Sequence, residues 1–429
     1  MKFVIDCLYL LAIIFLSPKI IYRMVRQGRY RSGWDERLGR IRRRHPKKKC
    51  IWIHAVSVGE VNATKTLVPK LRGSFGDYEI VISSTTDTGL GRAKTLYANN
   101  LQVFYFPFDL SCVMRRGFNN IRPDICLLME LEVWPNLARI ANDKNVPVVV
   151  VNGRLSDESF PKYKLIKPVT EWMFAKVDLV LAQTEEYAER FRLLGCAPEK
   201  VIVTNSLKYD TARIADKVDG ADELARQLNI ADERLWVAGG TGPGEEKICL
   251  EVFQRLKQQE VFADLRLAMV PRKPERFDEV TQLINETGFE FVRYSKIKAG
   301  QRTIANKPAV ILGDTMGDLT KFYSLATVIF VGRSLVAMGG SDMMESAALG
   351  KCTIFGPHTF NFKQAVDVLL KGEGAIEVND PDELFKIVEK CLTDTTYAQR
   401  IATNGREVIK QNQGATDRTV EAITSLLNT

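Results

Sequence analysis

Glu60 closes the stretch IHAVSVGE, an apolar run that enters a small-residue turn and stops at a carboxylate. Negative charge at the start of a helix complements the helix dipole. The same group, held at the lip of a pocket, is a general base. Further on, Glu130 and Glu132 precede Trp134-Pro135-Asn136, Arg154 and Ser156 follow an Asn-Gly turn, and Lys208 follows VIVTNSL. The stretch Ser84–Arg92 carries hydroxyls, glycines and one arginine, a composition that suits an oxyanion or sugar hydroxyls. The second half offers Pro271-Arg272-Lys273, then GDTMGDL from Gly313 to Leu319, then a glycine-rich run from Arg333 that includes Gly339, Gly340 and Glu345. Glycines with an arginine can take a nucleotide phosphate, and a glutamate can take ribose hydroxyls.

Each of these has a plainer reading. Glu60 can be a helix-start residue and nothing more. Glu130 and Glu132 can be surface partners of Arg139 and Lys144, Lys208 a solvated linker residue, and Gly339-Gly340 an ordinary turn. His54 lies within a strand pattern and reads as packed, and His358 as a satisfied loop histidine. Their shared placement at strand ends favours the functional reading.

The elements that place them alternate. IWIHA (51–55), EIVIS (79–83), QVFYF (102–106), DICLLM (124–129), PVVVV (147–151) and DLVLA (178–182) read as strands, most followed by amphipathic stretches. Near-continuous apolar strands separated by helices predict a parallel sheet covered on both faces. The pattern restarts with LWVAG (235–239), LRLAMV (265–270), AVILG (309–313), TVIFVG (327–332) and CTIF (352–355). The fold class is α/β, with two Rossmann-like domains facing a cleft, and ligands are expected at the carboxyl ends of the strands. The polar stretch from Asn205 to Asp232 reads as the linker. The expected divisions are an anchor over 1–22, an acceptor domain over 23–205, a nucleotide-sugar donor domain over 206–400 and C-terminal helices over 401–429.

Composition bounds the rest. The chain has 429 residues, 45% hydrophobic and 26% charged, enough for two cores and against long disorder. The formal charge of +8 is concentrated: thirteen cations lie between Lys19 and Lys49, against Asp35 and Glu36. Before them lies FVIDCLYLLAIIFL (3–16), shorter than the roughly 20 apolar residues of a spanning helix. Residues 1–22 read as an N-terminal anchor, spanning or lying in the inner leaflet, with the cations on the cytoplasmic side and against anionic headgroups. The other reading is a buried amphipathic helix. The eight cysteines show no CxxC spacing and the three histidines are scattered, so neither a disulfide framework nor a zinc site is indicated. No Walker loop is present and no GxGxxG follows the first strand, which argues against an NTPase and a nicotinamide cofactor.

In combination, SVGE (57–60), ELEVWPN (130–136), NGRLS (152–156), AQTEEYAERFRLLG (182–195), LKYD (207–210), PGEE (243–246), VPRKPERF (270–277), GDTMGDL (313–319) and AALGKCTIFGPHTFNF (347–362) resemble the 3-deoxy-D-manno-octulosonic acid (Kdo) transferases of lipopolysaccharide synthesis. The resemblance implies a GT-B glycosyltransferase that moves Kdo from CMP-Kdo to the lipid A precursor (lipid IVA), with inversion, at the inner-membrane face. It implies no cofactor, no metal and no nucleic-acid partner. Glu60 then looks like the general base, and Glu130 and Lys208 like groups that stabilise the transition state. Pro271 and Arg272, then Met316, Gly317 and Asp318, then Asp342, Met343, Met344 and Glu345, look like the segments that contact CMP. The chain departs from the family in its donor loops, at Gly240-Thr241-Gly242, Lys273, Arg333 and Ser341-Asp342, with Arg333 and Lys273 as candidate replacements for lost histidine contacts. A transferase of another nucleotide-activated acidic sugar, or a non-catalytic lipid-binding descendant, are the other readings.

Overall fold

The computed structural model describes residues 32–301 and 307–428, together with residues 5–7, 9–11, 15, 17, 18, 22 and 26. The chain forms two compact units. One comprises Met1–Thr211 with Gln413–Thr429, the other Ala212–Asn412.

The first unit is built on a seven-stranded parallel sheet. Its strands are β1 (Lys49–His54), β2 (Tyr78–Ser84), β3 (Gln102–Tyr105), β4 (Ile125–Met129), β5 (Val148–Gly153), β6 (Leu179–Ala182) and β7 (Val201–Val203), in the order β3-β2-β1-β4-β5-β6-β7. Alternate side chains feed two cores. Trp52, Val81, Cys126, Leu128, Val148 and Val150 pack on one face, and Ile51, Ile53, Ile80, Leu127, Val149 and Val151 on the other. This two-residue alternation on wholly apolar strands is what a sheet buried on both faces requires. The strand order reverses between β1 and β4, so a crevice opens at their carboxyl ends.

The second unit repeats the plan with β8 (Leu235–Thr241), β9 (Arg266–Pro271), β10 (Phe291–Arg293), β11 (Val310–Leu312), β12 (Val328–Val331), β13 (Cys352–Phe355) and β14 (Ile376–Glu377). The order is β10-β11-β9-β8-β12-β13-β14, with the reversal between β8 and β12. The edge strands β10 and β14 are three and two residues long and escape pattern reading.

The helices that bear on function are α1 (Val58–Ser74), α2 (Asp87–Tyr97), α3 (Pro135–Asp143), α4 (Leu207–Asp210), α5 (Glu245–Lys257), α6 (Leu319–Leu325), α7 (Met344–Ala348), α8 (Pro381–Thr393), α9 (Thr395–Asn412) and α10 (Ala415–Asn428).

Three sequence expectations are corrected here. The boundary between units falls after Thr211 rather than after residue 205, because Leu207 and Tyr209 of α4 are buried in the first unit. The Asn205–Asp232 stretch is not a plain linker: it contains α4 and a helix at Ala221–Gln227. The C-terminal helices are not one group. α9 stays with the second unit, whereas Ala415, Val420 and Ile423 of α10 complete the core of the first.

The anchor expected over residues 1–22 falls largely outside the described residues, and among the described residues no helix is long and apolar enough to cross a membrane. The basic run divides. Arg40, Arg42, Arg44, Lys47, Lys48 and Lys49 are exposed, whereas Arg43 is buried against Glu79 at 2.6 Å and Arg37 lies over the Tyr105 ring at 3.8 Å.

The return of α10 hangs on Asp210, whose carboxylate accepts Gly414 N–H at 2.8 Å and Thr416 N–H at 2.5 Å. Replacing Asp210 with Ala strands both donors and should cost about 2 kcal/mol in urea denaturation, with faster proteolysis around residue 413. An unchanged midpoint and unchanged cleavage would show that apolar packing alone holds α10.

Candidate active site

In the first unit, β1 runs into Ala55 and Val56, and Ser57 caps α1. Ser57 Oγ accepts Glu60 N–H at 3.2 Å, and Glu60 Oε1 accepts Ser57 N–H at 3.1 Å, a complete capping box. Glu60 Oε2 accepts Val56 N–H at 2.9 Å. The loop after β2 braces this turn: Ser84 and Thr86 hydroxyls both donate to Val56 O, at 3.1 and 2.6 Å. Gly89, at the start of α2, must be glycine here, since a Cβ would lie 2.5 Å from Val56 O. The plain reading of Glu60 as a helix-start residue is therefore correct as far as it goes. Each oxygen accepts one backbone N–H, which leaves lone pairs for a further donor. Burial raises the Glu60 carboxyl, the Val56 and Ser57 hydrogen bonds oppose the shift, and the nearby Glu130 charge adds to it.

Glu130 follows β4 with φ at +56°, the left-handed region, and its N–H donates to Val151 O at 2.9 Å. A non-glycine residue held there is strained and marks a position fixed by its surroundings. Glu132 is two residues on. Burial pushes its carboxyl up to about 7, with the charges of Glu60 and Glu130 adding to burial and the Trp134 indole opposing it. Trp134 Nε1 is itself buried and outside hydrogen-bonding geometry with any acceptor among the described residues. Glu60, Glu130 and Glu132 thus share one electrostatic environment at the switch point between β1 and β4. The reading of Glu130 and Glu132 as partners of Arg139 does not hold, because Arg139 pairs with Asp143 at 3.0 Å. Glu132 lies two residues from Glu130 in sequence, but only burial reveals its perturbed carboxyl.

Lys208 sits in α4, which packs against α1. α4 begins where Asn152, at the end of β5 with φ at +58°, accepts Leu207 N–H at 3.0 Å. His54 is packed as expected: its ring stacks on Phe106 at 3.8 Å, and burial drives its pKa down to about 3. It is therefore neutral and takes no part as an acid.

In the second unit the strand-end loops are tied together by two buried acids that sequence reading left unassigned. Glu245, at the start of α5, accepts N–H bonds from Gly242 at 2.9 Å, Ser334 at 2.7 Å, Leu335 at 2.9 Å and also from Arg333. Burial raises its carboxyl and these four donors oppose the shift. Glu246 accepts the Thr241 hydroxyl at 2.8 Å and pairs with Arg276 at 2.5 Å. One residue pair therefore joins the loops after β8, β9 and β12.

The expected donor residues fall into two groups around these loops. Pro271 ends β9, and Arg272 N–H donates to Thr241 O at 3.1 Å. Arg272, Asp342 and Glu345 all act electrostatically on the hydroxyl of Tyr323 in α6, which is fully buried without a hydrogen-bond partner among the described residues and which sequence reading missed. Gly239 makes room for it, since a Cβ would sit 2.5 Å from the phenolic oxygen. Gly317, with φ at +88°, and the exposed Met316 form the loop before α6. The Asp318 carboxylate is already engaged by Lys298 at 2.6 Å, Lys321 at 2.7 Å and the Thr315 hydroxyl at 2.7 Å. Against the effect of burial, those partners hold it at about 2. Met343 and Met344, at the start of α7, are buried side chains, so a ligand would meet this segment through its backbone. Arg333 donates to Met338 O at 3.0 Å and Lys273 pairs with Glu275 at 3.7 Å.

Glu132 generates a pH prediction. Its folded carboxyl titrates near 7 against an ordinary value of 4.5, so the folded state binds the extra proton. Its contribution to stability is full below about pH 4.5 and falls as pH rises to about 7. The stability difference between Glu132→Gln and the unaltered protein should therefore shift in favour of the variant across that window and level off above it. Urea midpoints of both proteins from pH 4 to 8 check this, and parallel curves would refute it.

The chain is similar to proteins of one group. The family model described as 3-deoxy-D-manno-octulosonic-acid transferase (kdotransferase) matches residues 32–211. The 3-deoxy-D-manno-octulosonic acid transferase of Haemophilus influenzae is 34% identical over 401 residues, covering 93% of this chain and 92% of that one. The Bordetella pertussis transferase is 31% identical, covering 97% and 98%. Among solved structures, Anabaena Alr3699/HepE in complex with UDP gives a TM-score of 0.56 at 14% identity over 88% of this chain, and Acinetobacter baumannii MurG gives 0.55 at 14% over 88%. Those likenesses are of fold, two parallel-sheet α/β units of the GT-B kind. On the strength of the full-length relatives, the chain belongs to the 3-deoxy-D-manno-octulosonic acid transferase family of glycosyltransferases.

Proposed function

We propose that the protein transfers Kdo from CMP-Kdo to a hydroxyl of the lipid A precursor, with inversion, at the cytoplasmic face of the inner membrane. The observation that carries this reading is Glu60, a largely buried carboxylate fixed by two backbone N–H groups at a topological switch point, with no cation paired to it among the described residues. A sugar hydroxyl is a poor nucleophile at neutral pH, and a positioned carboxylate that takes its proton contributes about 10²–10⁴-fold.

In this reading Glu60 removes the hydroxyl proton as the acceptor oxygen bonds to the anomeric carbon. The bond from that carbon to the CMP phosphate oxygen breaks, and CMP leaves with the electron pair. A phosphate leaving group needs cations rather than a protonated acid, which suits Arg272 and Lys208. A single base and no covalent intermediate give inversion. Glu132, whose carboxyl burial raises to about 7, keeps the carboxylate group from carrying three full charges below that pH. The strand-end loops joined by Glu245 and Glu246 hold the nucleotide.

A second donor, another nucleotide-activated acidic sugar, is favoured by one observation. Arg333 and Lys273, which stand where the resemblance leads one to expect a glycine and a histidine, are turned to Met338 O and Glu275.

The test is CMP release from CMP-Kdo with a tetra-acylated, bisphosphorylated acceptor. Release should require acceptor and fall about 10²–10⁴-fold in Glu60→Gln with little change in KM. Arg272→Ala should raise KM for the donor about tenfold or more through the lost charged contact. Release unaffected by Glu60→Gln would remove the base assignment, and turnover of a different sugar nucleotide in place of CMP-Kdo would select the second reading.

A further inference from the structure

The ring of Tyr323 in α6 packs against the end of β8, and its hydroxyl is buried without a hydrogen-bond partner among the described residues. Packing alone asks for no oxygen at this position. Phenylalanine would supply the same ring, as fully buried Phe322 does one residue earlier and Phe330 does on β12. A phenol withdrawn from water and left unpaired is a net loss to stability. The chain nonetheless makes room for it. Gly239 presents no side chain there, and a Cβ would stand 2.4 Å from the ring Cε1 and 2.5 Å from the hydroxyl oxygen. Its backbone lies outside the left-handed region, so space rather than conformation requires the glycine.

Around Gly239 the hydrogen bonds lead to one place. Gly239 O accepts Gly332 N–H at 2.8 Å, Gly332 O accepts Ser341 N–H at 3.0 Å, and Ser341 Oγ donates to Gly240 O at 2.8 Å. The end of β8 is thereby laced to the segment that opens α7. There Asp342 Oδ1 accepts Met344 N–H at 2.9 Å, and Glu345 follows in the first turn. α6 itself packs on both β8 and α7. The phenol therefore stands beside the start of α7, at the switch point between β8 and β12. The charges that act on the hydroxyl agree with this placement: after burial itself, the largest is that of Glu345, then Asp342, then Arg272. Of the three, only the carboxylates can accept its proton, since arginine carries no acceptor. Asp342 is committed to Met344 N–H, whereas Glu345 is partly exposed toward the crevice side of the loop's turn.

We propose that Tyr323 is a positioning residue for nucleotide recognition: its hydroxyl donates to the Glu345 carboxylate when that carboxylate takes the ribose hydroxyls of the donor. A carboxylate has lone pairs enough for ribose on one side and a phenol on the other. A donor fixed in the interior holds the side chain in one rotamer, which a partly exposed glutamate otherwise samples freely at a cost to binding. The free protein carries the unpaired phenol as a standing loss, and nucleotide binding relieves it. Part of the affinity for a ribonucleotide thus comes from a group that the nucleotide never touches. This rests on the reading of the second unit as the holder of the nucleotide. It concerns the ribose and not the sugar transferred, so it applies to either nucleotide-activated donor.

The test measures binding of CMP and of 2′,3′-dideoxy-CMP to the full chain by calorimetry, with thermal midpoints alongside and no acceptor present. Tyr323→Phe should weaken CMP about three- to tenfold, the worth of a hydrogen bond to a charged group. It should leave 2′,3′-dideoxy-CMP unchanged and hold or raise the thermal midpoint, because the hydroxyl it removes is unpaired in the free protein. In a Glu345→Ala background the same change should have no further effect on CMP, since the carboxylate it orients is gone. Undiminished CMP affinity in Tyr323→Phe overturns the proposal and leaves the donor reading standing. Equal weakening of both nucleotides with a lowered midpoint also overturns it, because that is the mark of a packing role. If the unaltered protein binds neither nucleotide, the donor reading falls and the role of Tyr323 falls with it.

Discussion

The carboxylate of Glu60 does two jobs that compete. As the third residue of α1 it completes the capping box, taking the N–H groups of Val56 and Ser57 that the end of β1 would otherwise leave unpaired. As an acid largely removed from water at the switch point, it is the group that the proposed transfer uses as its base. Helix initiation wants the carboxylate ionised, and burial beside Glu130 resists ionisation. The surrounding loops exist to settle that balance. Ser84 and Thr86 clamp Val56 O, Gly89 lets them approach, and the strained backbone of Glu130 brings a second charge near. Loss of any clamp would move both the start of α1 and the proton affinity of the Glu60 carboxyl.

The second unit solves a different problem, holding irregular loops still. Gly240, Gly339 and Gly340 turn with φ of +66°, +87° and +82°, conformations that carry no order of their own. Order comes from Glu245, which collects four backbone N–H groups from two loops, and from Ser341, whose hydroxyl donates to Gly240 O at 2.8 Å. A buried carboxylate used in this way acts as a fixed negative knot around which backbone donors arrange. In the proposed reading, backbone groups elsewhere on the same loops meet the nucleotide.

Much of the fold was legible in the sequence. Strand positions followed from apolar runs such as CLLM and VVVV, which have only one use in a covered sheet, and the strand-end logic placed Glu60, Glu130, Lys208 and Arg272 just past the ends of strands, where they lie. What escaped reading depended on contacts distant in sequence. Tyr323 looks like an ordinary helix aromatic until Gly239, more than eighty residues earlier, admits its ring. The carboxyl of Glu132 shifts because the fold buries it, with the charges of Glu60 and Glu130 adding to burial. Arg37 and Arg43 counted as surface cations, yet Tyr105 and Glu79 draw them inward. The boundary error had the same origin: α10 reads as one more polar-faced helix, and nothing local says which sheet its Val420 and Ile423 will cover.

That covering helix has a bearing on how the chain is made. The strands of the first sheet have all been synthesised by Val203, but α10, which closes one of its cores, begins at Ala415. Residues 212–412 intervene, and at roughly 5–20 residues per second their synthesis takes on the order of 10–40 s. Through that interval a strip of apolar surface on the unit that carries Glu60 waits uncovered beside the ribosome. A prematurely terminated chain would keep that strip permanently, so an interrupted product announces itself to chaperones and proteases.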